Sequence, residues 1–345
     1  VQVHADIKCR SFKGHGQNLV ATIPGRELEQ ESVILMAHTT GTYPGANCSA
    51  GVALLVEIAS ALKHCIDTGQ LHRPRRSIKF MVVVEGLGTQ FWISEHQDEL
   101  DRIKAAICLD SVGNHQDKLK STLMFSRHPD SSPSFINDYF EGLMERAPQD
   151  ASWIGRDDAG MSSVVFTSEP YTPWSDNNRW ASLGIPSPLI MSSPSIHFHT
   201  QFLTADTMDP AVYRRAGIPA AVALYEIANA GDTEALGMAE EVTARSILRL
   251  RLVTAKAIGR LLAPSKVRGK GNGPEAIVQR AARRLRYLAG RDVMAVGSTV
   301  SLMPGPLLQE VEQRLAALTA ELDISAEQGE TRLKEHLESV ARGGE

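Results

Sequence analysis

Cysteine is scarce in this chain, and what there is does not pair. Four cysteines occur in 345 residues, at 9, 48, 65 and 108, with no C-x-x-C among them. That excludes a disulfide scaffold, and Cys65 and Cys108 read as small buried hydrophobes. An excess of charge is also lacking. The formal net charge is -4, which gives no reason to expect a nucleic-acid partner. The longest apolar runs are too short to span a bilayer, so no membrane partner is expected. No secretory signal opens the chain, but it starts at Val1, which leaves localisation and any upstream leader or domain open. No H-E-x-x-H or other tight zinc motif occurs. What is present is an ordinary globular composition, 43% apolar and 22% charged, long enough for one large domain and a smaller one.

The apolar residues are arranged as alternating strands and helices. QNLVATIPG reads as an edge strand stopped by Pro24-Gly25, and SVILMAH (32–38) as a buried strand. A Gly/Pro-rich loop leads into GVALLVEIASALKHC, whose apolar residues at 52, 55, 56, 58, 59 and 62 predict a helix with a broad buried face. PRRSIKFMVVVE is the next strand, TQFWISEHQDELDRI the next helix, and KAAICLDSVGN a third strand. STLMFSR and GIPSPLIMSS are further strand candidates. SPSFINDYFEGLMERA starts a helix on Ser-Pro, and DPAVYRRAGIPAAVALYEIANA reads as a helix interrupted near Gly217 and Pro219. The segment from Trp153 to Trp180 is irregular, ending in the aromatic, proline-rich SEPYTPWSDNNRW. It serves either as a pocket wall or as a long solvated connection.

These elements predict a three-layer α/β/α sandwich with a mostly parallel, mixed central sheet over residues 1–262, plus a helical C-terminal extension over 263–345. In the tail, 242–263, PEAIVQRAARRLRYLAG, PGPLLQEVEQRLAALTAELDI and AEQGETRLKEHLESVARG all read as helical, with a linker at PSKVRGKGNGPEA. Mixed charge along these helices favours a solvated face, and the extension is the expected route to a homo-oligomer. No sustained heptad repeat supports a long coiled coil.

Four polar residues stand at the ends of predicted elements: His38 after VILMA, Glu85 after FMVVV, Asp110 after AAICL, and His199 in IHFHTQ. Open parallel sheets hold ligands outside the carboxyl ends of their strands, and two imidazoles with two carboxylates suit zinc. Each also has a plainer role. A histidine after a strand can simply bond to the backbone. His197 and His199 flank Phe198 on one face, and at most one of them is expected to touch a metal. A carboxylate beside an apolar strand must be solvated, paired or metal-bound to remain charged.

The succession NLVATIPG, VILMAH, PGANCSAGVALLVEIASAL, PRRSIKFMVVVEGLGT, AAICLDSVGN, SDNNRWASLGIPS and FHTQFLTADTMD resembles the M28 zinc aminopeptidases, a group related to the glutamate carboxypeptidases and glutaminyl cyclases. The resemblance runs from about residue 17 to 230. It implies a zinc-exopeptidase-like fold and a two-zinc site, with His38, Asp110 and His199 at ligand positions. Glu85 matches the paired glutamates of the family, one a general base and one a ligand, but Gly86 follows it. Thr40 stands where the family has an aspartate supporting the first histidine. Asn47, or Cys48 with one gap, stands where an aspartate bridges the metals. Asp176 matches an acidic position before Gly-Ile-Pro. Two cations about 4 Å apart need an anionic bridge, and Asn47 cannot supply one.

Two readings therefore stand side by side. In the first, one Zn2+ is held by His38, Asp110 and His199 and activates water, with Glu85 as general base. The substrate is a peptide amino terminus or small amide, its amine paired by Asp176 in a pocket shaped by Tyr171, Trp174 and Trp180. In the second, the domain is catalytically inactive and binds or assembles. A minor alternative makes Cys48 a nucleophile beside a histidine.

Overall fold

Residues 33 to 37 are all buried, yet they divide between two cores. Val33, Leu35 and Ala37 join one hydrophobic cluster and Ile34 and Met36 another. A strand whose alternate side chains both need cover must lie inside a sheet with a layer on each face. The structure, a computed structural model, describes residues 4–11, 13–39, 46–147, 164–263 and 273–342. Thr40, Trp153 and the 264–272 linker lie outside the described residues, as does the side chain of Asn47.

Seven strands form one sheet: β1 (Leu19–Ile23), β2 (Leu28–Thr39), β3 (Arg76–Val84), β4 (Ile103–Leu109), β5 (Thr122–Ser126), β6 (Phe166–Glu169) and β7 (Leu189–Ser193), in the order β1-β3-β2-β4-β7-β5-β6. Strands β3, β2, β4 and β7 are mutually parallel. The edge strand β1 is antiparallel to β3, while β5 is antiparallel to β7 and carries β6 parallel to itself. The two directions have a consequence for ligands. His38, near the end of β2, and Glu85 and Asp110, directly after β3 and β4, lie at one edge of the sheet, whereas β5 and β6 end toward the other.

Helices α1 (Ala46–Asp67), α4 (Ile136–Arg146) and α6 (Pro210–Asn229) supply apolar residues to the larger core, with Leu54, Phe140 and Leu224 buried in it. On the opposite face α2 (Leu87–Glu95) and α5 (Asn177–Ala181) bring Trp92 and Trp180 against Met36 and Met81. A one-turn helix, α3 (Gln116–Leu119), precedes β5. This is the three-layer sandwich with a mostly parallel mixed sheet that the alternation predicts. The span Cys48–Asp67 of α1 is long and apolar enough by composition to cross a membrane, but here it packs on β2, β4 and α6.

Three expectations need correction. Helix α6 runs unbroken with Pro219 inside it, because its buried packing outweighs the hydrogen bond the proline cannot make. The helix expected over 89–103 is split into α2 and a 3-10 turn at Gln97–Arg102. Cys65 is half-buried, not buried. The tail forms α7 (Asp232–Leu262), α8 (Pro274–Gly297) and α9 (Gln309–Arg342), packed on one another around Leu250, Leu285 and Leu333. Val296, Leu302 and Leu318 also belong to the larger core, so the apolar interior of the sandwich continues into the tail helices.

Candidate active-site crevice

The site is built where the central parallel strands end. His38 and Asp110 leave the core one residue past the paired stretch Ala37↔Leu109, which sets the two side chains level on neighbouring strands. His38 Nε2 lies 3.5 Å from Asp110 Oδ1. The amino-terminal turn of α1 comes close because residue 51 is glycine: a Cβ there would stand 2.8 Å from the Leu109 carbonyl oxygen. That approach brings Cys48, 7% exposed, into a hydrogen bond with His38.

The partner that dominates His38 is Asp176, at the start of α5. Its Oδ2 accepts a 2.9 Å hydrogen bond from His38 Nδ1, and its Oδ1 accepts from the Gly86 N–H and the Thr89 hydroxyl. Both side chains are buried, at 2% and 1% exposure. Burial disfavours a charged His38. The bond to Asp176, the bond to Cys48 and the two nearby carboxylates outweigh it and raise the pKa to about 11. The imidazole is therefore a buried cation at neutral pH, held between two carboxylates. Ser175 stands behind it, 3.5 Å from Nδ1, and Cys108 lies 3.6 Å from Ser175 Oγ. Cys108 is fully buried, and that burial pushes its thiol well above the ordinary range.

Gly86 has a further role. Its φ of 66° lies in the left-handed region, which lets its N–H turn toward Asp176. A glutamate here would be strained in the same backbone, so the turn that serves Asp176 is incompatible with a second glutamate after Glu85.

The structure does not assemble the expected metal ligands. Among the described residues no group of three His, Cys, Asp or Glu side chains could hold a metal ion. His199 is exposed, adopts a left-handed φ of 59° and stacks on Phe198 with ring centroids 3.8 Å apart; it does not join His38 and Asp110 in such a group. Glu85 is exposed, and its carboxylate makes no hydrogen bond or ion pair among the described residues. A zinc site needs three protein ligands, and among the described residues His38 with Asp110 supplies two. The residues present do not fit the ion.

Nor do the predicted pocket residues converge. Asp176 is out of reach of a substrate amine: it is 1% exposed, and His38, Gly86 and Thr89 take three of its lone-pair sites. Trp180 is fully buried, its indole N–H donating to Met36 Sδ at 2.9 Å, and it packs the core. Trp174 is 58% exposed. Tyr171 borders a cleft beyond the end of β6, toward the opposite edge of the sheet. Sequence reasoning missed the His38–Asp176 pair, because 138 residues separate the partners and only the docking of α5 beside β2 joins them.

A sequence model of peptidase family M28 matches residues 18–224. No curated protein matches the chain significantly. Among solved structures, an aminopeptidase from Aneurinibacillus sp. strain AM-1 is 19% identical over 60% of this chain and 47% of its own, with a TM-score of 0.46. The LapA aminopeptidase of Legionella pneumophila is 18% identical over 62% and 55%, also at 0.46. An Acidobacteriales bacterium glutaminyl cyclase is 18% identical over 62% and 74%, again at 0.46. The chain spans about half the length of the two aminopeptidases.

Proposed function

We propose that this chain, which belongs to peptidase family M28, acts as a catalytically inactive binding or structural domain and not as a zinc aminopeptidase. The observation that carries this reading is the position of His38, pinned by Asp176 at Nδ1 with Asp110 facing Nε2, in a crevice where no third ligand completes a metal-binding group among the described residues. The Asp176 bond at Nδ1 would leave Nε2 free for a metal, but among the described residues only Asp110 stands beside that nitrogen as a further ligand. Gly86 stands where the family has its second glutamate, and Asn47, or Cys48 with one gap, where it has the bridging carboxylate, which supports the same reading.

Metal content tests it. Chain purified without added zinc, then equilibrated with zinc at about micromolar free concentration, is expected to retain far less than one ion per molecule. Its unfolding midpoint should not rise, and a panel of aminoacyl amides should stay intact. Stoichiometric zinc that disappears in His38→Ala or Asp110→Ala would restore the hydrolase reading.

One observation favours a second reading. The hydrogen bonds run Cys48 to His38 to Asp176, the order of a thiol nucleophile, its base and an orienting carboxylate. Exposed Cys9 provides an internal comparison. Under the main proposal, iodoacetamide at about pH 6 labels Cys48 more slowly than Cys9, because Cys48 is buried. Faster labelling of Cys48, abolished by Asp176→Asn, would favour the thiol.

A further inference from the structure

Helix α7 turns one face into the tail bundle and leaves a second apolar face open. Leu250, Thr254, Ala257 and Leu261 are buried where α7 packs on α8 and α9. On the opposite side Leu248, Leu252, Ala255, Gly259 and Leu262 recur every three or four residues, the spacing of a single helical face. The three leucines are 65%, 52% and 65% exposed. A Cβ on Gly259 would meet nothing within 4 Å, so no other described element covers the stripe there. Side chains this exposed form a ridge that stands out from the bundle, and from Leu248 to Leu262 it runs for about 21 Å.

Charge frames the ridge. No acidic residue occurs between Glu241 and Glu275. Arg245 is engaged by Glu145 and Glu241, and Arg249 by Asp138 and Asp292. Arg251, Lys256 and Arg260 are exposed and have no ion pair among the described residues. Helical geometry puts Arg251 on one flank of the leucines. Lys256 and Arg260 lie on the other, in line with Arg249 and so on the side where α7 meets α8. The leucines call for a partner, since a contiguous apolar strip is costly to leave in water. The cations select its sign. A second copy of α7 would cover the leucines but would bring the same three cations against their counterparts.

From this arrangement we infer that α7 docks on an anionic lipid surface. Its leucines enter the boundary between headgroups and acyl chains, and Arg251, Lys256 and Arg260 reach the headgroup anions on either side. A straight ridge suits a planar partner, whereas a partner helix would seat in a groove between two helices. The apolar runs of this chain are too short to cross a bilayer, but a helix lying in the interface needs only one apolar face bordered by basic side chains. The inference does not depend on whether the His38 crevice is catalytic.

The test is flotation of the full chain with unilamellar vesicles of phosphatidylcholine, alone or with about 30 mol% phosphatidylserine, a composition that gives the surface a negative potential. Uptake by the anionic vesicles should exceed uptake by the neutral ones about tenfold or more, and should fall by a similar factor at about 0.5 M salt, where surface charge is screened. Lys256→Gln combined with Arg260→Gln should weaken uptake about 25-fold, at about fivefold for each cation near the surface. Leu248→Ser combined with Leu252→Ser should weaken it about tenfold or more with the unfolding midpoint unchanged, because both side chains are already exposed. Equal uptake by neutral and anionic vesicles, uptake by neither, or uptake untouched by both double substitutions would overturn the inference. So would a dimer in solution that the leucine substitutions return to monomer without any vesicle binding, which would give the ridge to a second copy. Binding to a DNA duplex of about 20 base pairs as tight as to the vesicles, and indifferent to the leucines, would also overturn it, since phosphate contacts alone make no use of an apolar strip.

Discussion

Replacing Asp176 with alanine is expected to destabilise the fold by about 3–5 kcal/mol, the range seen when one partner of a buried ion pair is removed. The substitution strands three groups together. His38 loses its closest carboxylate and keeps Asp110, 3.5 Å away, and the bond to Cys48, while the Gly86 N–H and Thr89 hydroxyl lose their acceptor. Urea unfolding with a constant m-value measures the loss. Asp176→Asn, which keeps an acceptor for Gly86 and Thr89 but not the charge, should cost less. The pH dependence provides a second readout. His38 has a folded pKa of about 11 against 6.5 in the unfolded chain, so its contribution is complete below about pH 6.5 and is lost as pH rises toward 11. Stability of the native chain should therefore fall across that window, and the slope should flatten in Asp176→Ala. An alanine variant within about 1 kcal/mol of the native chain, with the slope intact, would mean that the His38–Asp176 pair does not organise the crevice, and the reading of a closed, metal-free site would lose its footing.

The scaffold was legible because parallel strands buried on both faces need continuous apolar runs, and VILMAH, FMVVVE and AAICLD each turn polar where the chain leaves the core. That same rule put His38, Glu85 and Asp110 at one edge without any knowledge of contacts. It could not show which polar groups find each other. By sequence Asp176 reads as an acidic residue able to hold a substrate amine, but the start of α5 delivers it to His38. Trp180 read as a pocket wall from its aromatic, proline-rich surroundings. One helical turn past Asp176, the same α5 carries its ring into the core against Met36. His199 shares the face of an extended HFH in sequence, yet the chain turns left-handed at that residue. Strand direction was equally hidden. Nothing in STLMFSR reveals that β5 runs against β7, and the cleft bordered by Tyr171 lies toward the opposite edge only because it does.

Arg249→Ala should produce a loss of similar size, for a different reason. Arg249 on α7 donates to both oxygens of Asp138 on α4, at 2.7 and 2.9 Å, and to Asp292 on α8 at 2.9 Å. Asp138 and Asp292 are each 1% exposed. Asp292 retains Arg291, but Asp138 keeps only the 3.4 Å contact with Arg127. About 3–5 kcal/mol is expected from leaving that carboxylate underpaired. The pH profile distinguishes this from lost side-chain packing. Burial would raise the Asp138 pKa, but the Arg249 hydrogen bonds and the charges of Arg249, Arg127 and Arg291 bring it below the ordinary 3.8. A depressed carboxylate stabilises the fold above its unfolded pKa, and that contribution is lost as pH falls through the folded value. In the variant the depression is relieved, so Asp138 takes up its proton at higher pH. The deficit should be widest near pH 7 and narrow as pH falls toward about 3. His128, with its pKa lowered to about 4, sheds stability between pH 6.5 and 4 in both proteins and cancels from the difference. Urea unfolding at several pH values reads the comparison directly. A deficit that stays constant with pH would assign Arg249 a packing role, and the Arg249–Asp138 pair would then contribute little to holding the tail on the sandwich.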